Sequence, residues 1–271
     1  MVVGISKSSL PVGRMLLLAL LAGVYIGFGC LLASVVTAGA SGVLPYGITR
    51  LLGGLIFCLG LILVVVGGAE LFTGNALMII AWINRKITLA SMLRNWLIVY
   101  FGNLLGSLLL AGLVFFSREY TFGGGLVGKA ILMTAITKLD YSFVQALVLG
   151  ILCNILVCLA VWLTYSACST TDKILAIIFP ITAFVAAGFE HSVANMYALP
   201  MAFLIKIVDP AFGASSSLDL APITLGNIIL KNLLPVSLGN IIGGALFVGL
   251  IYALVYLPKG KSVSKPITST K

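Results

Sequence analysis

One short pattern occurs twice in this chain, and each copy places a carboxylate inside a long apolar stretch. Residues 68–75 and 188–195 both read Gly-x-Glu-x-x-x-x-Asn, with Glu70 and Glu190 at the third position. An ionisable side chain within the hydrocarbon of a bilayer is costly, so each one marks a candidate functional site. Two copies in matched settings indicate a duplicated half-molecule with one broken helix in each half, an arrangement typical of membrane transport proteins.

The composition predicts a single integral membrane domain over residues 1–257. Hydrophobic residues make up 61% of the chain and charged residues 8%, whereas soluble domains carry about 25% charged residues. The apolar runs are long and continuous, which argues against a transmembrane β-barrel. The net charge of +9 arises from Lys and Arg almost wholly in predicted loops and tails, so we predict no nucleic-acid partner. The five cysteines show no metal-binding spacing and no disulfide framework.

Six membrane-spanning segments are predicted, each close to the ~20 apolar residues that cross ~30 Å of hydrocarbon. The second and fifth are broken within the two repeated patterns, and their halves are too short to span alone. The segments cover residues 15–38, 50–83, 91–116, 142–166, 173–205 and 233–257.

A second motif sets the symmetry of the predicted fold. The third segment contains Gly-Asn-x-x-Gly at 102–106, and the sixth contains the same motif at 239–243. The repeats therefore cover roughly 15–116 and 142–257. Because each repeat has three spans, the second must enter the membrane from the opposite side. The sequence thus predicts an all-α membrane protein with six transmembrane helices in an inverted three-helix repeat.

Loop charges predict how the chain is oriented in the cell (plasma) membrane, which is the inner membrane in a cell that has two membranes. The face that holds both termini carries ten basic residues and one acidic residue, whereas the other face carries six basic and four acidic residues. The positive-inside rule therefore places both termini in the cytoplasm. The polar tail at 258–271 is rich in Pro, Ser, Thr and Lys, and we expect it to be a disordered cytoplasmic tail.

The repeated pattern also predicts the charge of the substrate. A helix that resumes after each break points the positive end of its dipole at the midplane, which favours an anion. Glu70 and Glu190 are either ligands for a substrate or cation, or loop-structural groups that accept hydrogen bonds from backbone N–H groups. Their identical placement, with Asn75 and Asn195 at the end of each pattern, favours the structural interpretation.

Four polar side chains are candidates for the transport path. His191 is the only histidine of the chain, and its charge can change near neutral pH. We predict a pore role with Thr73 of the facing loop as its partner; the alternative is a neutral histidine satisfied by its own loop. Lys138 is either a solvated lysine or a group that attracts anions to a pore mouth. Asn154 either hydrogen-bonds across helices or lines the pore.

At five motifs the chain closely resembles the formate/nitrite transporter family. They are Gly-Ala-Glu-Leu-Phe-Thr-Gly at 68–74, Tyr-Phe-Gly-Asn-Leu-Leu-Gly at 100–106, Gly-Ile-Leu-Cys-Asn-Ile-Leu-Val-Cys-Leu-Ala-Val-Trp at 150–162, Gly-Phe-Glu-His-Ser-Val-Ala-Asn-Met at 188–196 and Asn-Leu-Leu-Pro-Val-Ser-Leu-Gly-Asn-Ile-Ile-Gly-Gly at 232–244. The resemblance covers roughly 15–257. It implies an aquaporin-like protomer, a homopentamer in the lipid bilayer and one anion pore in each subunit.

By motif position, the resemblance implies apolar constrictions at Phe57, Leu61, Leu71 and Phe184, and polar pore residues at Thr73, Asn154, Lys138 and His191. The implied substrates are formate, nitrite or hydrosulfide, all small monovalent anions of weak acids. The central histidine would share or donate a proton, so that the substrate crosses the constrictions as a neutral acid, which avoids the desolvation cost of a bare ion.

Two other function classes would require different roles of these residues. A cation or divalent-metal transporter would use Glu70, Glu190 and His191 as ligands. An enzyme would need a nucleophile–base pair, a nucleotide loop or a metal cluster, and the sequence shows none. We therefore expect a channel or transporter without a cofactor or resident metal.

Overall fold

The computed structural model describes residues 2–256, and this part of the chain folds into eleven numbered helices and a separate 3₁₀ turn at Glu119–Thr121. The helices are α1 Val2–Ser8, α2 Val12–Thr37, α3 Tyr46–Val66, α4 Phe72–Ile83, α5 Leu89–Phe116, α6 Leu126–Asp140, α7 Phe143–Thr164, α8 Thr170–Ala187, α9 Ser192–Val208, α10 Pro210–Ser215 and α11 Leu225–Tyr256. The predicted disordered tail at 258–271 lies outside the described residues.

Six of these helices are long and apolar enough to cross a membrane, namely α2, α3, α5, α7, α8 and α11. The predicted number of spans is therefore confirmed. The sixth span begins at Leu225, well before the predicted residue 233. The helix begins there because the Thr224 side chain accepts a hydrogen bond from the Asn227 amide and caps its first turn.

Two helices are broken, as predicted, but each break is shorter than the repeated pattern. α4 resumes at Phe72 and α9 resumes at Ser192, so Asn75 and Asn195 lie inside helices and not in the loops that the sequence predicted. The reason is that each asparagine side chain reaches back five residues to the glutamate of its own loop, which requires a helical turn between the two residues.

Close helix crossings in each half support the inverted repeat. In the first half, α2 crosses α5 so closely that a Cβ on Gly106 would lie 1.9 Å from the Leu20 carbonyl oxygen. In the second half, α7 crosses α11, and a Cβ on Gly239 would lie 2.2 Å from the Leu147 carbonyl oxygen. Both glycines belong to the Gly-Asn-x-x-Gly motifs, so the motif is a backbone contact surface, as small residues often are between membrane helices.

The helices α1 and α6 were not predicted from the sequence. Each directly precedes the first span of its half, α2 or α7, so the two halves match over a longer stretch than the spans alone. α1 has seven residues, and α6 has fifteen, with Lys129, Lys138 and Asp140 among them. Neither helix is a continuous apolar stretch of membrane-spanning length, so the hydropathy pattern does not predict them.

The halves differ in the regularity of their last span. α5 is an α-helix throughout, whereas α11 contains wider π-type turns at Ile228–Leu233 and Ile242–Leu250. The second π segment packs on α4, where the chain forms a tighter 3₁₀ turn at Ala76–Met78. A Cβ on Gly244 would lie 2.7 Å from the Ala76 Cβ atom. The irregular turns therefore accompany a very close approach of α11 to the first broken helix.

We expect Gly106→Ala to destabilise the protein and Gly112→Ala, in the same helix, to change stability little. The added methyl group at Gly106 meets the α2 backbone, whereas a Cβ on Gly112 has no neighbour within 4 Å. Overpacking of this kind costs about 1–3 kcal/mol. The detergent-solubilised variants are heated, and the loss of folded protein is monitored by size-exclusion chromatography to measure the difference in melting temperature. Equal melting temperatures for the two variants would contradict the assigned crossing.

Candidate functional site

The first break lies at residues 67–71, and its backbone groups bind neighbouring helices. The Glu70 amide donates to the Leu18 carbonyl oxygen of α2 at 3.2 Å. Asn103 of α5 donates through Nδ2 to the Glu70 carbonyl oxygen at 2.9 Å. Its Oδ1 atom accepts from the Phe72 amide at 2.9 Å. One asparagine side chain thus binds the carbonyl group before Leu71 and the amide group after it, where the helix hydrogen bonds are interrupted.

The second break, at residues 188–191, repeats this arrangement. The Glu190 amide donates to the Leu149 carbonyl oxygen of α7 at 3.2 Å. Asn240 of α11 donates through Nδ2 to the Glu190 carbonyl oxygen at 3.0 Å and accepts from the Ser192 amide at 2.9 Å. The asparagine of each Gly-Asn-x-x-Gly motif therefore holds the break of its own half. The sequence showed the motif twice but gave no reason to connect it with the breaks.

The Glu70 carboxylate binds side chains, so the predicted bonds from loop backbone N–H groups are wrong. Glu70 Oε1 lies 2.7 Å from Lys7 Nζ of α1, and Oε2 accepts from Asn75 Nδ2 at 2.7 Å. The amides of Glu70 itself and of Phe72 are unavailable because the Leu18 carbonyl oxygen and the side chain of Asn103 already accept from them. From the sequence, Lys7 was predicted only to be one of the ten basic residues that orient the chain in the membrane.

The Glu190 carboxylate has equivalent partners. Its Oε1 lies 2.7 Å from Lys138 Nζ of α6, and Oε2 accepts from Asn195 Nδ2 at 2.7 Å and from Asn232 Nδ2 at 3.1 Å. The Lys138 side chain is 18% exposed. It is therefore not the freely solvated lysine of the first alternative, and its role in attracting anions to a pore mouth stays a prediction.

A second asparagine completes each network and ties the lysine helix to it. Asn95 accepts from Asn75 Nδ2 at 2.8 Å and donates to the Lys7 carbonyl oxygen at 3.3 Å. Asn232 accepts from Asn195 Nδ2 at 2.7 Å and donates to the Lys138 carbonyl oxygen at 3.2 Å. The same set of four residues, one Lys, one Glu and two Asn, thus connects α1 to the first break and α6 to the second.

His191 and Thr73 meet where the two breaks approach each other. The His191 Nε2 atom lies 2.9 Å from Thr73 Oγ1, which is the contact that the sequence predicted. Its Nδ1 atom accepts from the Ala194 amide at 3.1 Å and caps the first turn of α9. An Nδ1 atom that accepts carries no proton, so the neutral ring holds its proton on Nε2, towards Thr73.

Asn154 of α7 binds across helices beside this pair. Its Nδ2 atom donates to the Thr73 carbonyl oxygen at 3.1 Å and to the Asn240 carbonyl oxygen at 2.6 Å. The side-chain oxygen is buried and has no hydrogen-bond partner in the part of the chain that the structure describes. Asn154 therefore joins the first broken helix to the last span and keeps one acceptor atom unused.

The four predicted constriction residues are all buried around this centre. The rings of Phe57 and Phe184 meet edge to face with centroids 5.5 Å apart, and Phe184 stacks on the His191 ring at 5.9 Å. Leu61 lies on α3, and Leu71 directly precedes α4. The polar pair thus has an apolar surface beside it, and the pore-lining role of these side chains stays a prediction.

The comparisons with known proteins agree with this geometry. A family model described as "Formate/nitrite transporter" matches residues 1–254. The chain belongs to the formate/nitrite transporter family. This transporter is 43% identical over 258 residues to the formate channel FocA of Escherichia coli K12, covering 94% of this chain and 90% of that one.

Solved structures of the family confirm the fold class. A pentameric formate channel with formate bound superposes with a TM-score of 0.83 at 44% identity, covering 91% of this chain and 98% of that chain. A second solved structure, an FNT family ion channel, gives a TM-score of 0.77 at 28% identity and covers 94% and 99% of the two chains. The aquaporin-like protomer with six spans is confirmed, and the named relatives are channels rather than enzymes.

The geometry gives no support to the alternative cation or metal transporter. Each glutamate of this formate/nitrite transporter is already bound to a lysine and to amide groups. Within residues 2–256, no group of three His, Cys, Asp or Glu side chains is arranged to hold a metal ion. His191 uses both ring nitrogens for bonds within the protein.

We expect Glu190→Gln to destabilise the protein and the double variant Lys138→Met, Glu190→Gln to recover part of the loss. Removing one partner of a buried ion pair costs about 3–5 kcal/mol because the other charge is left unpaired. Removing both partners avoids this penalty. Thermal unfolding of the wild type, both single variants and the double variant measures the coupling, with exposed Lys129→Met as the matched control. Strictly additive losses would disprove the pairing.

Proposed function

We propose that this family member conducts small monovalent anions of weak acids, namely formate, nitrite or hydrosulfide, along a path between its two broken helices. The observation that carries the proposal is the contact between His191 and Thr73, which joins the two breaks at 2.9 Å. The names of the relatives support formate within this set, because they include a formate channel and a solved formate-bound channel.

The helix ends at this centre favour a negative charge. α4 begins at Phe72 and α9 begins at Ser192, so both half-helices start beside the Thr73–His191 contact. A helix N-terminus carries unpaired N–H groups and about half a positive elementary charge. An anion near Thr73 therefore meets two such ends, whereas a cation would be repelled by both.

The pairing of the glutamates removes the main objection to an anion path. Two bare carboxylates beside the route would repel a formate ion strongly at low dielectric. Lys7 and Lys138 each lie 2.7 Å from a carboxylate oxygen, so neither glutamate carries an uncompensated charge. The electrostatics of this centre therefore favour an anion over the alternative cation or metal substrate.

In this proposal His191 shares a proton with the substrate. A bare anion at the apolar rings of Phe57 and Phe184 would lose its hydration without compensation. The Thr73 hydroxyl, which accepts from the His191 Nε2–H group, donates to the arriving anion. A proton drawn from bulk water with the anion binds the ring at Nδ1 and displaces the Ala194 amide, while the Nε2 proton passes through the Thr73 hydroxyl to the anion, which leaves as the neutral acid. Once the remaining ring proton has returned from Nδ1 to Nε2 by exchange with water, Nδ1 accepts again from the Ala194 amide.

The oligomeric state is proposed from the similarity to a solved channel, and the orientation in the membrane is proposed from the loop charges. A homopentamer with one path in each subunit is supported by the pentameric formate channel that this chain superposes on. Cytoplasmic termini are supported by the excess of Lys and Arg on the face that holds both ends of the chain.

We expect His191→Asn to abolish the pH dependence of anion uptake between about pH 5 and 8. Asparagine is a good helix N-cap and can keep the bond to the Ala194 amide, but it cannot gain a proton. Uptake of formate, nitrite and hydrosulfide into proteoliposomes that contain the full chain measures both the substrate preference and the pH profile.

Thr73→Ser is the matched control, because it keeps the hydroxyl group that contacts His191. A His191→Asn protein that retained wild-type uptake across this pH range would contradict proton sharing at this residue. Size-exclusion chromatography checks that both variants keep the oligomer, so that a lost flux is not the result of lost assembly.

A further inference from the structure

Arg50 binds the carbonyl end of the second broken helix. It lies in the second turn of α3, on the face of the protein that also holds α6. Its Nε atom donates to the Ala186 carbonyl oxygen at 3.0 Å, and its Nη2 atom donates to the Val185 carbonyl oxygen. Gly188 follows with a φ of +79°, and a Cβ there would lie 3.2 Å from Arg50 Nη2. The guanidinium group thus fits closely over the end of α8.

This helix end is close to the proposed anion path. The last turn of α8 contains Phe184, whose ring stacks on His191. The carbonyl end of a helix carries about half a negative elementary charge. Without a cation, the orphan carbonyl groups of α8 would oppose the approach of an anion to the centre. Two N–H donors in the fixed fork of an arginine satisfy two of these carbonyl groups and reverse the sign of the local charge.

The charge of Arg50 adds to that of the pair beside it. Lys138 Nζ forms an ion pair with Glu190 Oε1 at 2.7 Å, so this pair contributes no net charge. Tyr141, in the loop between α6 and α7, lies within electrostatic reach of all three groups. Burial raises the pKa of its phenol, the Glu190 carboxylate raises it further, and Lys138 and Arg50 oppose the shift. Within residues 2–256 the carboxylates that form ion pairs are bound to Lys7, Arg118 and Lys138, so Arg50 is a cation that no carboxylate pairs with.

The second half has no equivalent of Arg50. Arg50 precedes Glu70 by twenty residues, and the residue twenty positions before Glu190 is Thr170. The two broken helices otherwise end alike, because Gly68 and Gly188 both adopt a left-handed φ, of +74° and +79°. The capping arginine thus distinguishes the two mouths in a fold that is otherwise closely repeated.

We propose that Arg50 is a positioning residue that caps α8 and makes the mouth beside α6 attractive to the anion. The proposal rests on the proposed function and adds a residue that determines how readily the substrate enters. Because the charge acts on the anion before it reaches His191, Arg50 should affect the half-saturating anion concentration more than the maximal flux. Because it acts through a partly exposed charge, its effect should weaken as the salt concentration rises.

The test compares Arg50→Gln, Arg50→Lys and the control Arg118→Gln in proteoliposomes that contain the full chain. Arg118 lies on the same face with a side chain that is 71% exposed. The concentration dependence of formate flux is measured at low and at high ionic strength, and the oligomer is checked by size-exclusion chromatography.

We expect Arg50→Gln to raise the half-saturating formate concentration by about three- to tenfold at low salt, the range that a partly buried charge at a helix end supports. Arg50→Lys keeps the charge and should stay close to the wild type, as should Arg118→Gln. An Arg50→Gln curve that matches the wild type overturns the role of Arg50. Equal impairment of Arg50→Gln and Arg50→Lys with a lost oligomer also overturns it, since the role would then be only structural. Absence of formate flux in the wild type would instead overturn the proposed function.

Discussion

A helix can break inside a bilayer only where other groups replace the hydrogen bonds that its backbone loses. In this protein one asparagine in each half meets that requirement. Asn103 and Asn240 each donate to the carbonyl oxygen of the loop glutamate and accept from the first amide of the next half-helix. The glycines beside these asparagines bring the supporting helix within backbone contact. The position of His191 opposite Thr73 depends on both loops being held in this way.

Much of the site could be predicted because repetition in the sequence exposes it. The two Glu patterns and the six spans follow from residues in matched positions of apolar stretches. The contact of Thr73 with His191 could be predicted because both are polar residues of the two breaks, which face each other in an inverted repeat. The partners of the glutamates were predicted wrongly. Lys7 and Lys138 come from helices that are too short or too polar for a hydropathy pattern to predict, and their sequence surroundings do not repeat visibly. A lysine in a loop shows no sign in the sequence of the carboxylate that it will bind.

Arg50 was missed for a related reason. Its two hydrogen bonds go to backbone carbonyl groups 135 and 136 positions away in the chain, and carbonyl groups carry no residue identity for a sequence to show. For Asn154 the sequence predicted a hydrogen bond across helices as one of two alternatives, but it did not predict the accepting carbonyl oxygens, those of Thr73 and Asn240. Side chain-to-side chain contacts between repeated motifs can be predicted from sequence, whereas contacts with the backbone of a distant helix emerge only from the fold.

The π-type turns of α11 have a consequence for the exchange of sequence between the two halves. A π turn accommodates an extra residue, and each extra residue rotates the following helix faces by about 100° relative to a regular α-helix. α5 contains no such turn and α11 contains two π segments, so a chain that carried the α5 sequence in place of α11 would present a different face to α4. The matching motifs therefore do not make the two spans interchangeable.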